Sequence, residues 1–135
     1  MEIKILKLNE PTPNNRIYTK ETVGNALESM RLEGKKSVYG QMGDPPLFNQ
    51  LDLSKISHYV TDLEIKDDHL VGKLYPMNTP HGKICAQLIE AFEKDGLDYE
   101  FVPSGVGFIE PLSRTVSDYT ITSINIVPKP VKPTW

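Results

Sequence analysis

A histidine and a serine are the two residues of this sequence whose surroundings best suit chemistry on a carbonyl group. His58 lies in a run rich in β-branched and aromatic residues, with Ile56 and Val60 as its neighbours on the same face of a strand. Ser104 precedes Gly105 at an interruption between two apolar runs, where backbone N–H groups could stabilise an oxyanion. Such a histidine is more often a hydrogen-bonded core residue, and such a serine more often part of a turn. Each residue therefore has a structural and a catalytic interpretation.

The histidines and the single cysteine raise the alternative of a metal site. The candidate ligands are His58, His69, His81 and Cys85. Only His81 and Cys85 have the i, i+4 spacing that places two ligands on one face of a helix. Two ligands are too few for a closed site, and Cys85 falls on the apolar stripe of a predicted helix as a small core residue. The sequence therefore predicts neither a metal nor another cofactor.

Length and composition indicate one domain, residues 1–127, followed by a proline-rich extended tail, residues 128–135, with the sequence P-K-P-V-K-P-T-W. The 15 basic residues are outnumbered by 18 acidic residues, which disfavours a protein that grips the nucleic-acid backbone. The sequence has no polybasic stretch and no apolar run of ~18 residues, so no membrane binding or span is predicted. A single cysteine cannot form an intramolecular disulfide, which favours a reducing, cytoplasmic setting.

The elements that must position these residues are mostly strands. A hairpin is predicted from Ile56–Ile65 and Leu70–Tyr75, with its turn at Asp67-Asp68. The other predicted strands are Glu2–Leu8, Ser37–Tyr39, Glu100–Val102, Val106–Glu110 and Asp118–Val127. Glu2–Leu8 has apolar residues on both faces, as a central strand does, and a Pro-Ser-Gly interruption separates Glu100–Val102 from Val106–Glu110.

Two helices are predicted from their caps and apolar stripes. The first begins after Thr19, ends near Gly34 and has the stripe Val23, Ala26, Leu27 and Met30. The second begins with the N-cap Thr79 and Pro80, ends at Gly96 and has the stripe Ile84, Cys85, Leu88, Ile89 and Phe92. Because strands and helices do not alternate strictly, the predicted fold class is α+β, with a mainly antiparallel sheet or barrel flanked by the two helices.

Five stretches, in chain order, resemble motifs of the prohead (head maturation) proteases of tailed bacteriophages. N-N-R-I-Y-T-K-E-T-V is similar to their opening N-G-R-x-Y-x-x-E-x-L, and I-S-H-Y-V-T-D-L to their strand V-S-H-x-V-x-x-L. M-N-T-P-H-G-K-I-C-A-Q-L-I is similar to their helix T-P-x-G-K-x-L-x-x-L-I, V-P-S-G-V-G to their S-x-R-G-x-G, and V-S-D-Y-T-I-T-S-I-N-I-V to their closing D-Y-x-L-x-S-I-D-I-V. The resemblance, from Asn14 to Pro130, implies the herpesvirus-assemblin fold, a β-barrel ringed by helices.

The resemblance also implies positions for the catalytic residues of these serine endopeptidases. His58 falls on the catalytic histidine. With the glycines in register, the family serine falls on Val102, and Ser104 stands two residues further on, at the family arginine. Asn125 stands where the closing motif has an acid, and an asparagine can orient an imidazole but supplies no charge to it. A shift of two residues keeps Ser104 on the same strand face as Val102, displaced by about 7 Å.

A second departure lies in the loop before the hairpin. The family stretch G-E-L-x-H-P reads G-Q-M-G-D-P here, so that Gln41 replaces an acid and Asp44 replaces a histidine. Asp44 is a second candidate for orienting His58, although a turn residue before Pro45 is the favoured interpretation.

Two functions follow from the resemblance. The favoured one is a phage head-assembly protein that has lost its protease activity and acts as a structural component of the virion. The alternative is an active endopeptidase in which Ser104 attacks the scissile carbonyl, His58 takes its proton and Asn125 or Asp44 orients His58. Both imply capsid or scaffold proteins as partners, possible self-association, and a location in the host cytoplasm during assembly and then in the prohead or virion.

Overall fold

The computed structural model describes residues 1–12, 15–43, 52–96 and 99–128. Its elements in chain order are β1 (Glu2–Lys7), α1 (Lys20–Leu32), β2 (Ser37–Gly40), a short 3-10 helix (Leu53–Lys55), β3 (His58–Lys66), β4 (His69–Pro76), α2 (Pro80–Asp95), β5 (Tyr99–Ile109) and β6 (Val116–Pro128). Asp44 and residues 129–135 lie outside the described residues. Within the described part, neither helix is long and apolar enough to cross a membrane.

The strands form two antiparallel sheets. The first has the order β1-β4-β3-β2, and the second is the pair β5-β6. A parallel bridge between Met42 and Ile126 joins the end of β2 to β6, with Gly43 N donating to Ile126 O at 2.8 Å. The α+β fold with a mainly antiparallel arrangement is therefore confirmed. The closed barrel implied by the resemblance is not confirmed, because in the described residues no backbone hydrogen bond pairs β1 with β5.

The central position predicted for the first strand is wrong. Within the described part of the chain, β1 lies at one end of the four-stranded sheet and pairs with β4 alone. Its register shifts between Lys4 and Leu6, which is a β-bulge. Because the bulge interrupts strict alternation, the consecutive residues Ile5 and Leu6 are both buried. The apolar residues on both faces thus reflect the bulge and not a second neighbouring strand.

The two strand pieces predicted on either side of Pro-Ser-Gly are in fact the single strand β5. Its register against β6 shifts between Ser104 and Gly105, and again between Val106 and Phe108. Pro103 is tolerated inside this strand because a proline can occupy an edge position, where the missing N–H removes no ladder hydrogen bond. The bulges absorb the irregular sequence, so the strand continues through it.

The predicted caps and the hairpin turn are confirmed. Thr19 accepts a hydrogen bond from Thr22 N at the start of α1, and Thr79 accepts one from Gly82 N at the start of α2. Gly96 ends α2 with a φ of 68°, and Asp67 forms the hairpin turn with a φ of 57°. The apolar stripe of α2 is narrower than predicted. Its buried residues are Gly82, Cys85 and Ile89, whereas Ile84 and Leu88 are exposed.

One hydrophobic core receives side chains from both sheets and both helices. Its fully or almost fully buried members include Leu8, Val23, Val60, Leu70, Leu74, Cys85 and Ile124. The inner face of the four-stranded sheet carries His58 and Val60 into this core, while β6 supplies Ile124 and its neighbours from the other side. The candidate site therefore lies between the sheets.

Candidate active site

His58 is the first residue of β3 and lies in the interior. It pairs with Gly40 of β2 on one side and with Pro76 of β4 on the other, and its exposed fraction is 0%. The alternation of the strand places His58 on the same inward face as Val60. The hairpin that the sequence predicts thus fixes this imidazole in the core, at the place where β6 crosses the first sheet.

Both ring nitrogens of His58 have hydrogen-bond partners. Nε2 lies 2.7 Å from the carbonyl oxygen of Ile124, and Nδ1 lies 2.7 Å from Ser57 Oγ. Because a carbonyl oxygen can only accept, the proton of the neutral ring is on Nε2, and Ser57 donates its hydroxyl proton to Nδ1. Burial lowers the pKa of His58 below its ordinary value of 6.5, and the hydrogen bond to Ile124 opposes this shift only in part. His58 is therefore a neutral imidazole with a hydrogen bond at each ring nitrogen.

Gly40 allows this close contact between strands. A Cβ atom at this position would meet Ile124 O at 1.8 Å and His58 Nε2 at 2.3 Å. Only a residue without a side chain lets β2, β3 and β6 come together around the ring.

Ser104 and Asn125 meet on the second sheet. The register pairs Val102 with Asn125 and Ser104 with Ser123, so all four side chains share one face of the β5-β6 pair. Asn125 Nδ2 donates to Ser104 Oγ and to Ser123 Oγ, each at 3.1 Å, and Asn125 Oδ1 accepts from Gln41 N at 3.2 Å. Asn125 is fully buried and Ser104 partly exposed. The amide thus links β6 to β5 and to the end of β2 through both of its functional groups.

The three predicted site residues are therefore connected only in part. Ser104 is bonded to Asn125, but in the described residues no hydrogen bond joins either of them to His58. The link between the two groups is the main chain, since Ile124, which accepts from His58, immediately precedes Asn125. Asp44, the second candidate for orienting His58, lies outside the described residues.

Ser57 is the functional partner of His58 that the sequence prediction missed. It is fully buried and lies just before β3. Inside a strand, neighbouring side chains point to opposite faces, but Ser57 lies outside the strand and its side chain can therefore point to the same side as His58. The signal in the sequence was the Ser-His dipeptide at the start of a strand. Since both side chains have exposed fractions of 0%, a substrate carbonyl could not reach this hydroxyl–imidazole pair without an opening of the core.

Cys85 completes the polar group around the ring. Its Sγ lies 3.9 Å from His58 Nδ1, and burial raises the pKa of the thiol although the contact with Ser57 lowers it. A buried thiol with a raised pKa is a poor nucleophile, which agrees with a core role. His69 lies elsewhere, with its Nδ1 2.8 Å from Asp68 Oδ1, and in the described ranges no group of three or more potential metal ligands is found.

Two clefts of the described surface bear on the candidate site. A small one of about 90 Å³ is lined by Cys85, which contacts the buried ring, and by Met42 and Ile126. A cleft of about 370 Å³ between β1 and β5 is lined by Val102, Pro103, Phe101, Tyr18 and Ile5, among others. It includes the position of the family serine, Val102, but none of His58, Ser104 and Asn125 lines it.

Comparison with known proteins shows the fold. No protein-family model matches the sequence, and no curated protein matches it. Among solved structures, the bacteriophage T4 capsid assembly protease, gp21, is similar with a TM-score of 0.75 and 19% sequence identity, over 96% of this chain and 81% of that chain. The resemblance read from the motifs is thereby confirmed at the level of the fold: this chain has the α+β fold of a phage capsid assembly protease.

Proposed function

We propose that this chain is a phage head-assembly protein with an inactive protease site, which binds capsid or scaffold proteins and acts as a structural component of the prohead or virion. The similar solved structure is that of a capsid assembly protease, which supports the assembly role. The bonding of His58 supports the loss of activity.

The observation that carries the proposal is the hydrogen bond from His58 Nε2 to Ile124 O. A general base must have a free ring nitrogen within about 3.2 Å of the hydroxyl that it deprotonates. Here Nδ1 meets this requirement only for Ser57, whose hydroxyl is fully buried and out of reach of a substrate. Nε2 donates to a carbonyl, and Ser104 is bonded to Asn125 instead of His58. Burial lowers the pKa of His58, so the imidazolium that catalysis requires is disfavoured as well.

Two further replacements point in the same direction. Val102, at the position of the family serine, lies directly opposite Asn125 in the sheet. Asn125 replaces an acid, and its neutral amide cannot stabilise a positive charge on the ring as a carboxylate would. The polar contacts of Asn125 instead join three strands.

An active serine endopeptidase is the second candidate. It is supported by the proximity of the parts, because Ile124 contacts His58 while the next residue, Asn125, contacts Ser104. Catalytic hydrogen bonds can be long in an unliganded site and shorten when substrate binds. In this candidate the His58 ring would leave Ile124 and turn towards Ser104.

Co-expression with the capsid and scaffold proteins of the same phage separates the two candidates. We expect the capsid and scaffold proteins to remain uncleaved both with the wild-type chain and with Ser104→Ala. We also expect that a fluorophosphonate does not label the wild-type chain, and that the chain co-purifies with proheads. Ser113→Ala, on the exposed β5-β6 connection, is the matched control. Cleavage that depends on Ser104 but not on Ser113 would establish the protease instead, and absence of the chain from proheads would remove the structural role.

A further inference from the structure

The backbone pairing between β6 and the segment that follows β2 stops after one bridge. Met42 and Ile126 form this parallel bridge, in which Ile126 N donates to Gln41 O at 3.1 Å and Gly43 N donates to Ile126 O at 2.8 Å. In a parallel ladder the bonds recur at every second residue, so the next acceptor, for the N–H of Gln41, would be the carbonyl of Ile124. That bond is not made in the described residues, and the ladder is interrupted at Ile124.

Two donors of the candidate site are therefore placed to use one carbonyl. Ile124 O accepts from His58 Nε2 at 2.7 Å, and Gln41 N donates to the side-chain oxygen of Asn125 at 3.2 Å. Gln41 is only 4% exposed, so its N–H needs an acceptor within the protein, since an unpaired buried N–H is strongly unfavourable. Asn125 Oδ1 supplies this acceptor in place of the missing ladder bond.

We propose that Asn125 is a positioning residue for His58. Its side chain takes the hydrogen bond of Gln41 N and thereby leaves the Ile124 carbonyl to the imidazole ring. Asn125 acts on the ring through the main chain of its own strand, without touching it. The inference rests on the proposed function, because it names the residue that keeps His58 in the arrangement without activity.

The other bonds of Asn125 fix its amide in the required orientation. A backbone N–H can only donate, so the end of the amide that faces Gln41 N is the oxygen. The nitrogen end then faces the hydroxyls of Ser104 and Ser123 and donates to each at 3.1 Å. A carboxylate at this position could accept from Gln41 N but could donate to neither serine. The amide thus suits all three partners.

Asn125→Leu tests the proposal, because leucine keeps a branched side chain in the core but has no acceptor. Gln41 N should then turn to Ile124 O and weaken the bond of that carbonyl with His58. In nitrogen-15 NMR of the ring, the Nε2 proton of His58 should exchange with water about tenfold faster, the equivalent of roughly one hydrogen bond. The Nε2 resonance should shift as well.

Three controls separate positioning from a general loosening of the core. Ser104→Ala leaves Asn125 Oδ1 on Gln41 N and should leave the His58 signals unchanged. Asn125→Asp keeps an acceptor oxygen and should restore the slow exchange that Asn125→Leu loses. The backbone amide of Val60, which is fully buried in the same strand as His58, should exchange at the wild-type rate in every variant. Equal acceleration at Val60 and His58 would overturn the proposal.

The wild-type protein gives a test that requires no variant to fold. We expect a coupling through the hydrogen bond between Gln41 nitrogen and the Asn125 side-chain carbonyl carbon, and another between His58 Nε2 and the Ile124 carbonyl carbon. A coupling from Gln41 to Ile124 in the wild type would overturn the proposal, as would unchanged His58 signals in Asn125→Leu.

The couplings are independent of activity, which keeps the two proposals separable. Fluorophosphonate labelling of the wild-type chain would overturn the proposed function. The couplings would still show which donor uses the Ile124 carbonyl.

Discussion

At the scale of single residues, His58 is the most informative position, because the hydrogen bonds of its ring distinguish a structural core histidine from a catalytic base. Its ring is fully buried and bridges Ser57 and the Ile124 carbonyl. The histidine therefore joins the two sheets through a side-chain hydrogen bond. Removing it should affect stability, whereas removing a side chain that only serves catalysis often leaves stability unchanged.

Substitution of His58 by alanine should lower the free energy of unfolding by about 2–4 kcal/mol, through the cavity and through the unpaired Ile124 carbonyl and Ser57 hydroxyl. Urea denaturation of the wild-type and variant proteins measures the difference. Ser104→Ala is the matched control and should cost about 1 kcal/mol or less, since one partly exposed hydrogen bond is lost. Equal stabilities of the wild type and His58→Ala would show that the ring does not join the sheets.

Stability should also depend on pH through His58. Because the pKa of His58 is lower in the folded chain than the ordinary 6.5, the unfolded state binds a proton first. The stabilisation is therefore complete above the unfolded pKa and is lost as the pH falls below it, by up to about 1.4 kcal/mol per pH unit. Unfolding measured from about pH 7 to about pH 5 should show this slope, and His58→Gln should remove it.

His81→Gln is the control for the pH series, because His81 is only partly buried and lies in the first turn of α2. Its variant should keep the slope of the wild-type protein. A slope that disappears in His81→Gln and persists in His58→Gln would contradict the assignment of the titration to the buried ring.

At the scale of elements, two helical glycines have opposite roles although their helix propensities are the same. A Cβ atom on Gly24 in α1 would meet only Ile65 Cδ1, at 3.9 Å, whereas one on Gly82 in α2 would meet the Met77 carbonyl oxygen at 1.8 Å. Gly24→Ala should therefore stabilise the protein by about 0.5–1 kcal/mol. Gly82→Ala should destabilise it by about 1–3 kcal/mol or more.

Thermal unfolding of the two glycine variants gives the comparison, with the melting temperature raised in Gly24→Ala and lowered in Gly82→Ala. Stabilisation by both substitutions would mean that the α2 start can move away from Met77, and that the close contact does not position this helix. Since α2 carries Cys85 against His58, its position also matters to the candidate site.

The elements that local chemistry determines could be predicted from the sequence. Caps such as Thr19 and Thr79 and the turn at Asp67 depend on residues a few positions away, and all three are found. The bulges in β1 and β5 could not be predicted, because a bulge depends on the partner strand. The continuity of β5 through Pro103 likewise depends on its lying at an edge.

At the scale of the whole molecule, the sequence predicts which residues belong to the candidate site but not which hydrogen bonds they make. His58, Ser104 and Asn125 were identified from motifs, and the fold resemblance behind them is confirmed. The partner of His58 is Ile124 of the other sheet, which depends on how two sheets pack and on no local pattern. The proposed loss of activity thus depends on the orientation of one ring, which the sequence alone does not predict.

One core shared by both sheets and both helices should unfold in a single transition. Cys85 tests this because its thiol is fully buried and is the only one in the chain. Its reaction with a thiol reagent should therefore follow the same urea dependence as the loss of far-ultraviolet circular dichroism. A thiol that becomes reactive at lower urea would show that α2 separates from the sheets before they unfold.

Nitrogen-15 NMR of the His58 ring tests the central claim, the loss of the catalytic base, most directly. We predict a neutral ring with its proton on Nε2, slow exchange of that proton with water, a pKa below the ordinary 6.5, and no change in these properties in Ser104→Ala. A ring with an unprotonated Nε2, a pKa at or above the ordinary value and a spectrum that changes in Ser104→Ala would contradict the account and identify His58 as the base of a working protease.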